Sequence, residues 1–446
     1  MRLYLALGVL VASATAYGED VAPIDGPRPI AAFRVEGDSK VTDETLGYLL
    51  RVEIGQSVSA DSVPALERAL RSSELFKSVS VRLEPAPPTE SMPDGVVVVA
   101  NVVDKHSWIV MPTAYLLSSN WAVGAGFAEN NLFGENKKLL LYAQLGEINS
   151  FFIAAYIVPS FRGSKLSLRA DTYWQKRIYD EYANPVDKPA STSLARTSDH
   201  VFVNTAVAAG WNHRWWLKSE GRLRAAYVRY DDPHVPDDPL MTLAQPSPDG
   251  WDTTIQGRLT LDAREHDHGV TDGPYAQVVL EQTIPRLSDY SYSAVSLRAF
   301  YAKRLLGAHE IELRTYANLG YHLPFHDEWT LGAASDLRGY PTEQFRGDVR
   351  ALARLEYSVP IAQWNIFSFR GLTFFDSGVI GFHFTDPDQR SYLPDQIGRD
   401  IFRNDVGGGI RIYVSNIVLP LLGLDVGYGL ESRTPTLYFQ VGLTDL

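Results

Sequence analysis

From His106 to the carboxyl terminus the chain is built of stretches of about ten residues in which apolar side chains alternate with polar or small ones. A period of two predicts strands with one apolar and one polar face. Lys165 to Trp174, Val295 to Ala302, His309 to Asn318 and Thr436 to Leu443 are the clearest. In Glu310-Ile311-Glu312-Leu313-Arg314-Thr315 the alternating partners are charged, whereas in Thr436 to Leu443 they are uncharged. About sixteen such stretches fit before Leu446, within the even-numbered range of outer-membrane barrels. A soluble sandwich alternates as well, and the connections discriminate between the two. The long polar ones, Asp180 to Ser198, Asp231 to Gly250, Pro324 to Asp348 and Thr385 to Asn404, all follow odd-numbered strands, and most connections after even-numbered strands are short. Long loops at one end and short turns at the other predict a transmembrane antiparallel barrel. Trp211, Trp215 and Trp216 near one turn fit an interfacial aromatic belt, or alternatively a sandwich core.

Ahead of this region the pattern is mixed. Ile30 to Gly37 alternates like a strand, and Thr42 to Leu50 reads as a short capped helix. Asp61 to Leu70, with an N-cap, an early proline and helical spacing carried on to Leu75 and Phe76, predicts a second, amphipathic helix. Val79 to Leu83 and Val96 to Val103 follow as strands around a loop from Pro85 to Gly95. The expected order is β-α-α-β-β, an α+β unit over residues 29–105 ahead of an all-β region over 106–446. Residues 1–16 have the form of an export signal: Arg2, an apolar run from Leu3 to Ala12, and the small-x-small site Ala14-Thr15-Ala16.

Composition narrows the function classes. No later stretch approaches the ~18 uninterrupted apolar residues of a membrane helix. The absence of cysteine removes disulfides, thiolate metal sites and cysteine nucleophiles. With 41 basic and 53 acidic residues there is no basic stripe, so nucleic acid is a poor partner.

One constellation carries chemistry. In Val349 to Tyr357 one parity holds Val349, Ala351, Ala353, Leu355 and Tyr357, and the other holds Arg350, Arg354 and Glu356. In Phe369 to Gly378, Arg370, Leu372, Phe374 and Asp376 share a parity. Glu356 and Asp376 therefore both point into a lumen, where the guanidinium of Leu337-Arg338-Gly339-Tyr340 could fork across them. A buried carboxylate without such a partner is costly. The alternative is an ordinary exposed Arg-Gly-Tyr turn with solvated lumen acids.

The order of the amino-terminal elements resembles a POTRA domain, with Gly37, Leu75-Phe76 and Val79-Ser80-Val81 at that family's turn glycine, helix-ending aromatic and second strand. Asn130-Asn131-Leu132-Phe133-Gly134, Leu337 to Tyr340, Arg350 to Pro360 and Phe374 to Gly378 complete the likeness. From about Ile30 to Leu446 the chain is similar to the BamA-type POTRA-barrel superfamily, which assembles or translocates proteins at outer membranes. The resemblance implies a sixteen-stranded barrel whose sixth extracellular loop enters the lumen, with Arg338, Gly339 and Tyr340 at its tip and Arg338 gripping Glu356 and Asp376. It also implies a seam between first and last strands that opens laterally, a second-strand motif at Asn131, Leu132, Phe133 and Gly134, and a periplasmic POTRA. Outer-membrane lipids, unfolded or secreted client polypeptides and accessory assembly proteins are the implied partners. The chain departs from the family in having room for one POTRA, which weakens the case for accessory lipoprotein docking. It departs also in ending Asp445-Leu446 in place of a terminal aromatic.

The expectation is thus a barrel that inserts or translocates other polypeptides, with a passive pore or structural barrel tethered by its POTRA as the alternative. No catalytic residue, metal or cofactor is expected. Asp262, Glu265, His266, Asp267 and His268 combine acid, base and ligand types, but parity puts them on a solvated turn without a walled pocket. Asp231-Asp232 with Asp237-Asp238 could bind calcium weakly, yet spaced loop acids are more often merely solvated.

Overall fold

The computed structural model describes residues 26–117, 120–235, 238–242, 245–267, 270–333, 336–365, 367–385, 396–414 and 420–441. The export signal, Asp237, His268 and the terminal Asp445-Leu446 lie outside the described residues.

The amino-terminal unit contains β1 (Arg28–Glu36), α1 (Asp43–Leu50), β2 (Ser57–Val58), α2 (Val63–Ser72), β3 (Phe76–Pro85) and β4 (Val96–Asp104), with sheet order β2-β1-β4-β3. β1 runs parallel to β4, so the chain must cross over between them, and both helices lie in that crossover. Their apolar faces, Leu46, Leu49, Leu50, Leu66 and Leu70, pack on Ile30, Val96, Val98 and Val102 of the sheet. The Thr42 hydroxyl caps α1 by accepting the Thr45 N–H at 3.3 Å. The expected run of the second helix to Leu75 and Phe76 is not what forms. The Ser73 hydroxyl donates to the Leu70 carbonyl at 2.6 Å, Glu74 turns to φ 60°, and Phe76 opens β3 with its ring in the core.

The second region is one long antiparallel meander. Its strands are β5 (Trp108–Leu117), β6 (Asn120–Leu132), β7 (Lys137–Gly146), β8 (Asn149–Val158), β9 (Leu166–Ala183), β10 (Ser193–Arg214) and β11 (Leu217–Val235). Then come the short β12 (Asp238–Thr242), β13 (Gly250–Asp262), the short β14 (Glu265–Asp267), β15 (Val270–Thr283), β16 (Ser293–Leu305) and β17 (His309–Tyr321). A small hairpin, β18 (Trp329–Leu331) with β19 (Phe345–Gly347), precedes β20 (Val349–Trp364), β21 (Phe367–Gly381), β22 (Asp400–Val414), β23 (Pro420–Gly429) and β24 (Thr434–Val441). The sheet curls into a barrel until β24 meets β5. The long strands pair residue by residue along the meander, and β24 and β5 are neighbours at the seam.

The period of two sorts the side chains. On β11, Leu223 and Tyr227 face outward while Arg224, Ala226, Val228 and Tyr230 are buried inward. Leu313, Leu355, Phe375, Ile255 and Leu259 likewise make an apolar exterior, a surface matched to lipid. Two strands are longer than the polar character of their ends suggests. The connection expected from Asp180 to Ser198 shrinks to residues 184–192, because β9 and β10 pair as far as Ala183 with Ser193. Arg196 bonds Glu181, and the Thr197 hydroxyl donates to Asp180 at 2.9 Å, so the charges pair across the strands. Similarly, β22 already begins at Asp400.

Candidate functional site: a loop held inside the barrel

The connection between β17 and β20, residues 322–348, folds into the lumen. Leu331, Leu337, Tyr340 and Phe345 from it pack on the inward-facing Leu352, Ile380 and Ile401. Arg338 is 0% exposed, and a free cation there would be very costly. Its Nε and one terminal nitrogen donate to the two Asp376 oxygens at 2.8 and 2.9 Å, and the other terminal nitrogen donates to Glu356 Oε2 at 2.7 Å. The guanidinium plane lies 3.4 Å from the centre of the Phe374 ring. β20 and β21 supply the acids because Glu356 is register partner to Phe374, which places Asp376 one inward step further along β21. Burial opposes the charged guanidinium, but Asp376 and then Glu356 outweigh it and hold its pKa above the ordinary value.

Neighbouring tip residues reach the far side of the sheet. The Gly339 N–H donates to Asp405 Oδ2 at 3.0 Å. A Cβ on Gly339 would stand 2.5 Å from Asp405 Cβ and 2.6 Å from the Gly429 nitrogen, so only glycine fits. The Tyr340 hydroxyl donates to Glu431 at 2.5 Å, and Tyr438 on the last described strand donates to the Tyr340 carbonyl at 2.5 Å. The tip thus touches β20, β21, β22 and β24 in four consecutive residues of sequence, 337–340.

A second cluster, unread in the sequence, holds the start of the same loop against another part of the wall. Arg224 on β11 donates to Asp252 at 2.5 Å, to the Tyr292 hydroxyl at 2.6 Å and to Asp327 of the loop at 3.1 Å. His326 lies 3.1 Å from Asp252 and 2.7 Å from the Tyr230 hydroxyl. Nearby, Arg346 bonds Glu328 at 3.0 Å and sits 3.9 Å over the Phe325 ring. Asp252, His326 and Asp327 bring three metal-ligating groups within 4.8 Å of one another. Arg224 already bridges both carboxylates, so its guanidinium stands where a metal cation would. The available signal was Phe325-His326-Asp327-Glu328, ionisable residues behind an aromatic in a loop, with Arg224 and Asp252 at inward parity.

The second-strand motif lies at the opposite end of the barrel. Asn131 is 3% exposed, and its side-chain oxygen accepts the Asn136 N–H at 2.9 Å to close the turn. Phe133 and Gly134 take φ values of 62° and 72°, with Phe133 projecting outward and Leu132 pairing with Lys137. Gly134 abuts the amino-terminal unit: its carbonyl accepts the Thr42 N–H at 3.2 Å, and a Cβ there would run into the Lys40 carbonyl. Lys165 with Glu53 at 2.8 Å, and Arg51 stacked 4.2 Å over Trp215, add to this junction. The four-stranded unit therefore sits at the short-turn end. Trp211, Trp215 and Trp216 are exposed at that same end. Among the other sequence candidates, Asp262 pairs with Arg264 at 2.8 Å, Glu265 to Asp267 form β14, and Asp231 pairs with Arg229 at 2.6 Å.

An apolar exterior, a polar and loop-filled interior, and a small α+β unit at the short-turn end define a β-barrel of the outer-membrane class. Residues 131–444 match the Omp85 superfamily domain, and the chain belongs to that superfamily. Among solved structures it is similar to BamA from Haemophilus ducreyi lacking POTRA domains 1–3, with a TM-score of 0.56 and 15% identity over 93% of this chain and 84% of that one. It is similar also to CdiB from Escherichia coli, with a TM-score of 0.64 and 13% identity over 92% and 76% of the two chains. CdiB from Acinetobacter baumannii gives 0.60 and 14% over 93% and 74%. No curated protein matches by sequence.

Proposed function

We propose that this barrel inserts other polypeptides into the outer membrane or translocates them across it, receiving them through residues 29–105, read as a single periplasmic POTRA. The carrying observation is the placement of that unit at the short-turn end of a barrel whose lumen is filled by loop 322–348, an arrangement suited to guided entry and ill suited to an open diffusive pore. In this reading the long strands β5–β11, β13, β15–β17 and β20–β24 form a sixteen-stranded barrel. Arg338, Gly339 and Tyr340, with Glu356 and Asp376, are then the latch that keeps the loop in place. The unit offers the edge strand β3 for β-augmentation by an extended client, which would take the place of Glu67 on the Val81 N–H. Client folding supplies the energy, as strands gain backbone partners and bury apolar faces in lipid. Asn131, Leu132, Phe133 and Gly134 set the seat of the unit on the barrel. The test is depletion of the protein followed by outer-membrane and secreted proteomics. Selective loss of one or more barrels or secreted proteins is expected, and unchanged levels of all of them would sink the proposal.

A further inference from the structure

Where the amino-terminal unit meets the barrel there is a cleft of about 890 Å³. One wall, from α1 and the segment after it, presents Tyr48, Val52 and Ile54, with Trp215 of the barrel next to them; Tyr48, Ile54 and Trp215 are exposed. The other wall is cationic. Six basic side chains line the cleft, Arg51, Lys138, Arg162, Lys165, Arg214 and Arg264, against three acids, Glu44, Glu53 and Asp262, an excess of 6 − 3 = +3 in a chain of net charge −12. Two of those acids are taken up by Lys165 and Arg264. Arg51, Lys138, Arg162 and Arg214 have no carboxylate at ion-pair distance among the described residues, although Glu74 lies in the field of Lys138, and Glu265 and Asp262 in that of Arg51. Lys138 stands on the inward parity of β7, so its charge faces the lumen mouth, and Arg214 follows the irregularity that ends β10.

Cations held together in excess over nearby acids raise the local potential and attract negative charge. A small inorganic anion would use the cationic wall alone and leave the exposed Tyr48, Ile54 and Trp215 unused. An extended peptide that alternates acidic with aromatic or aliphatic side chains uses both, because its two faces match the two walls. We propose that this cleft binds such acidic, amphipathic polypeptide segments at the entrance to the lumen. The inference rests on the reading of the protein as a handler of polypeptide clients and names a chemical preference among them.

The test is fluorescence anisotropy on the full chain in detergent micelles, using short fluorescein-labelled peptides of alternating Glu and Tyr, Lys and Tyr, or Glu and Ser. The Glu-Tyr peptide is expected to bind more tightly than either of the others. Joint substitution Lys138→Gln, Arg162→Gln and Arg214→Gln is expected to weaken it by about tenfold or more, each charge accounting for about 2- to 5-fold. Unchanged heat-modifiable migration on gels verifies the fold of this variant, and Arg162→Gln alone, in an exposed turn, provides a version with little structural risk. Equal binding of the Lys-Tyr peptide, or unchanged affinity in the variants, overturns the proposal. Displacement of the Glu-Tyr peptide by millimolar inorganic phosphate, as readily as by unlabelled peptide, also overturns it and leaves a small-anion site. Failure here alongside loss of client proteins on depletion would remove this inference and leave the proposed function standing.

Discussion

Gly427 on β23 lies directly against the carbonyl of Arg338, so closely that a methyl group at residue 427 would overlap that oxygen. The strand and the loop tip pass each other backbone to backbone, which only glycine permits. Gly427→Ala is therefore expected to push the tip off its seat. Gly257→Ala, on the outer face with open space around it, is the matched control and is expected to leave the protein unchanged. Limited proteolysis of the loop and heat-modifiable migration distinguish the two.

Arg338→Ala leaves Asp376 buried and Glu356 half-buried without their shared cation. Breaking a buried pair typically costs about 3–5 kcal/mol, and the loss is expected here in urea unfolding of the refolded barrel. Arg338→Lys retains the charge but not the fork, and is expected to recover only part of it. Equal loop protection in parent and Arg338→Ala would count against a holding role.

Arg224 grips the same loop at Asp327, on a different part of the wall. Each of Arg224→Ala and Arg338→Ala is expected to destabilise. If both hold one loop, their effects in a double-mutant cycle are non-additive by about 0.5–3 kcal/mol, despite the absence of direct contact between the two side chains. Strict additivity would mean that the two ends of the loop are held independently.

Glu431 provides a pH dependence. Burial pushes its carboxyl up, but hydrogen bonds from the Asn404 N–H, the Tyr340 hydroxyl and the Asn404 amide outweigh it and hold the group below its ordinary pKa. A depressed folded value stabilises above the unfolded pKa of about 4.3, and that stability is lost as pH falls through the folded value. Protease accessibility of the tip is thus expected to rise below about pH 4 in the parent. Glu431→Gln should flatten the part of the curve that separates the two proteins.

The parts of the fold and site legible in the sequence are those fixed by local period. Alternation places Arg354, Glu356 and Asp376 on one side of β20 and β21 and Leu355 and Phe375 on the other, which is where they lie. Pairing across long range is what escaped. The ends of β9 and β10 look like loop because Glu181 and Arg196 are charged, and it is pairing across the two strands that lets them extend. The cluster at Arg224 joins residues 28, 68 and 103 positions away, a convergence that requires the curvature of the whole barrel. α2 ends early for a local reason overlooked in its apolar spacing, the Ser73 hydroxyl turned back onto the helix.

Tyr438 gives the seam between β24 and β5 a handedness. The last strand is pinned from inside by its bond to the Tyr340 carbonyl, whereas β5 follows β4 after a link of three residues, Lys105 to Ser107. Any parting of the two strands then has a fixed jamb and a swinging side. The other side is β5, so movement of that strand would pass through the three-residue link to the amino-terminal unit.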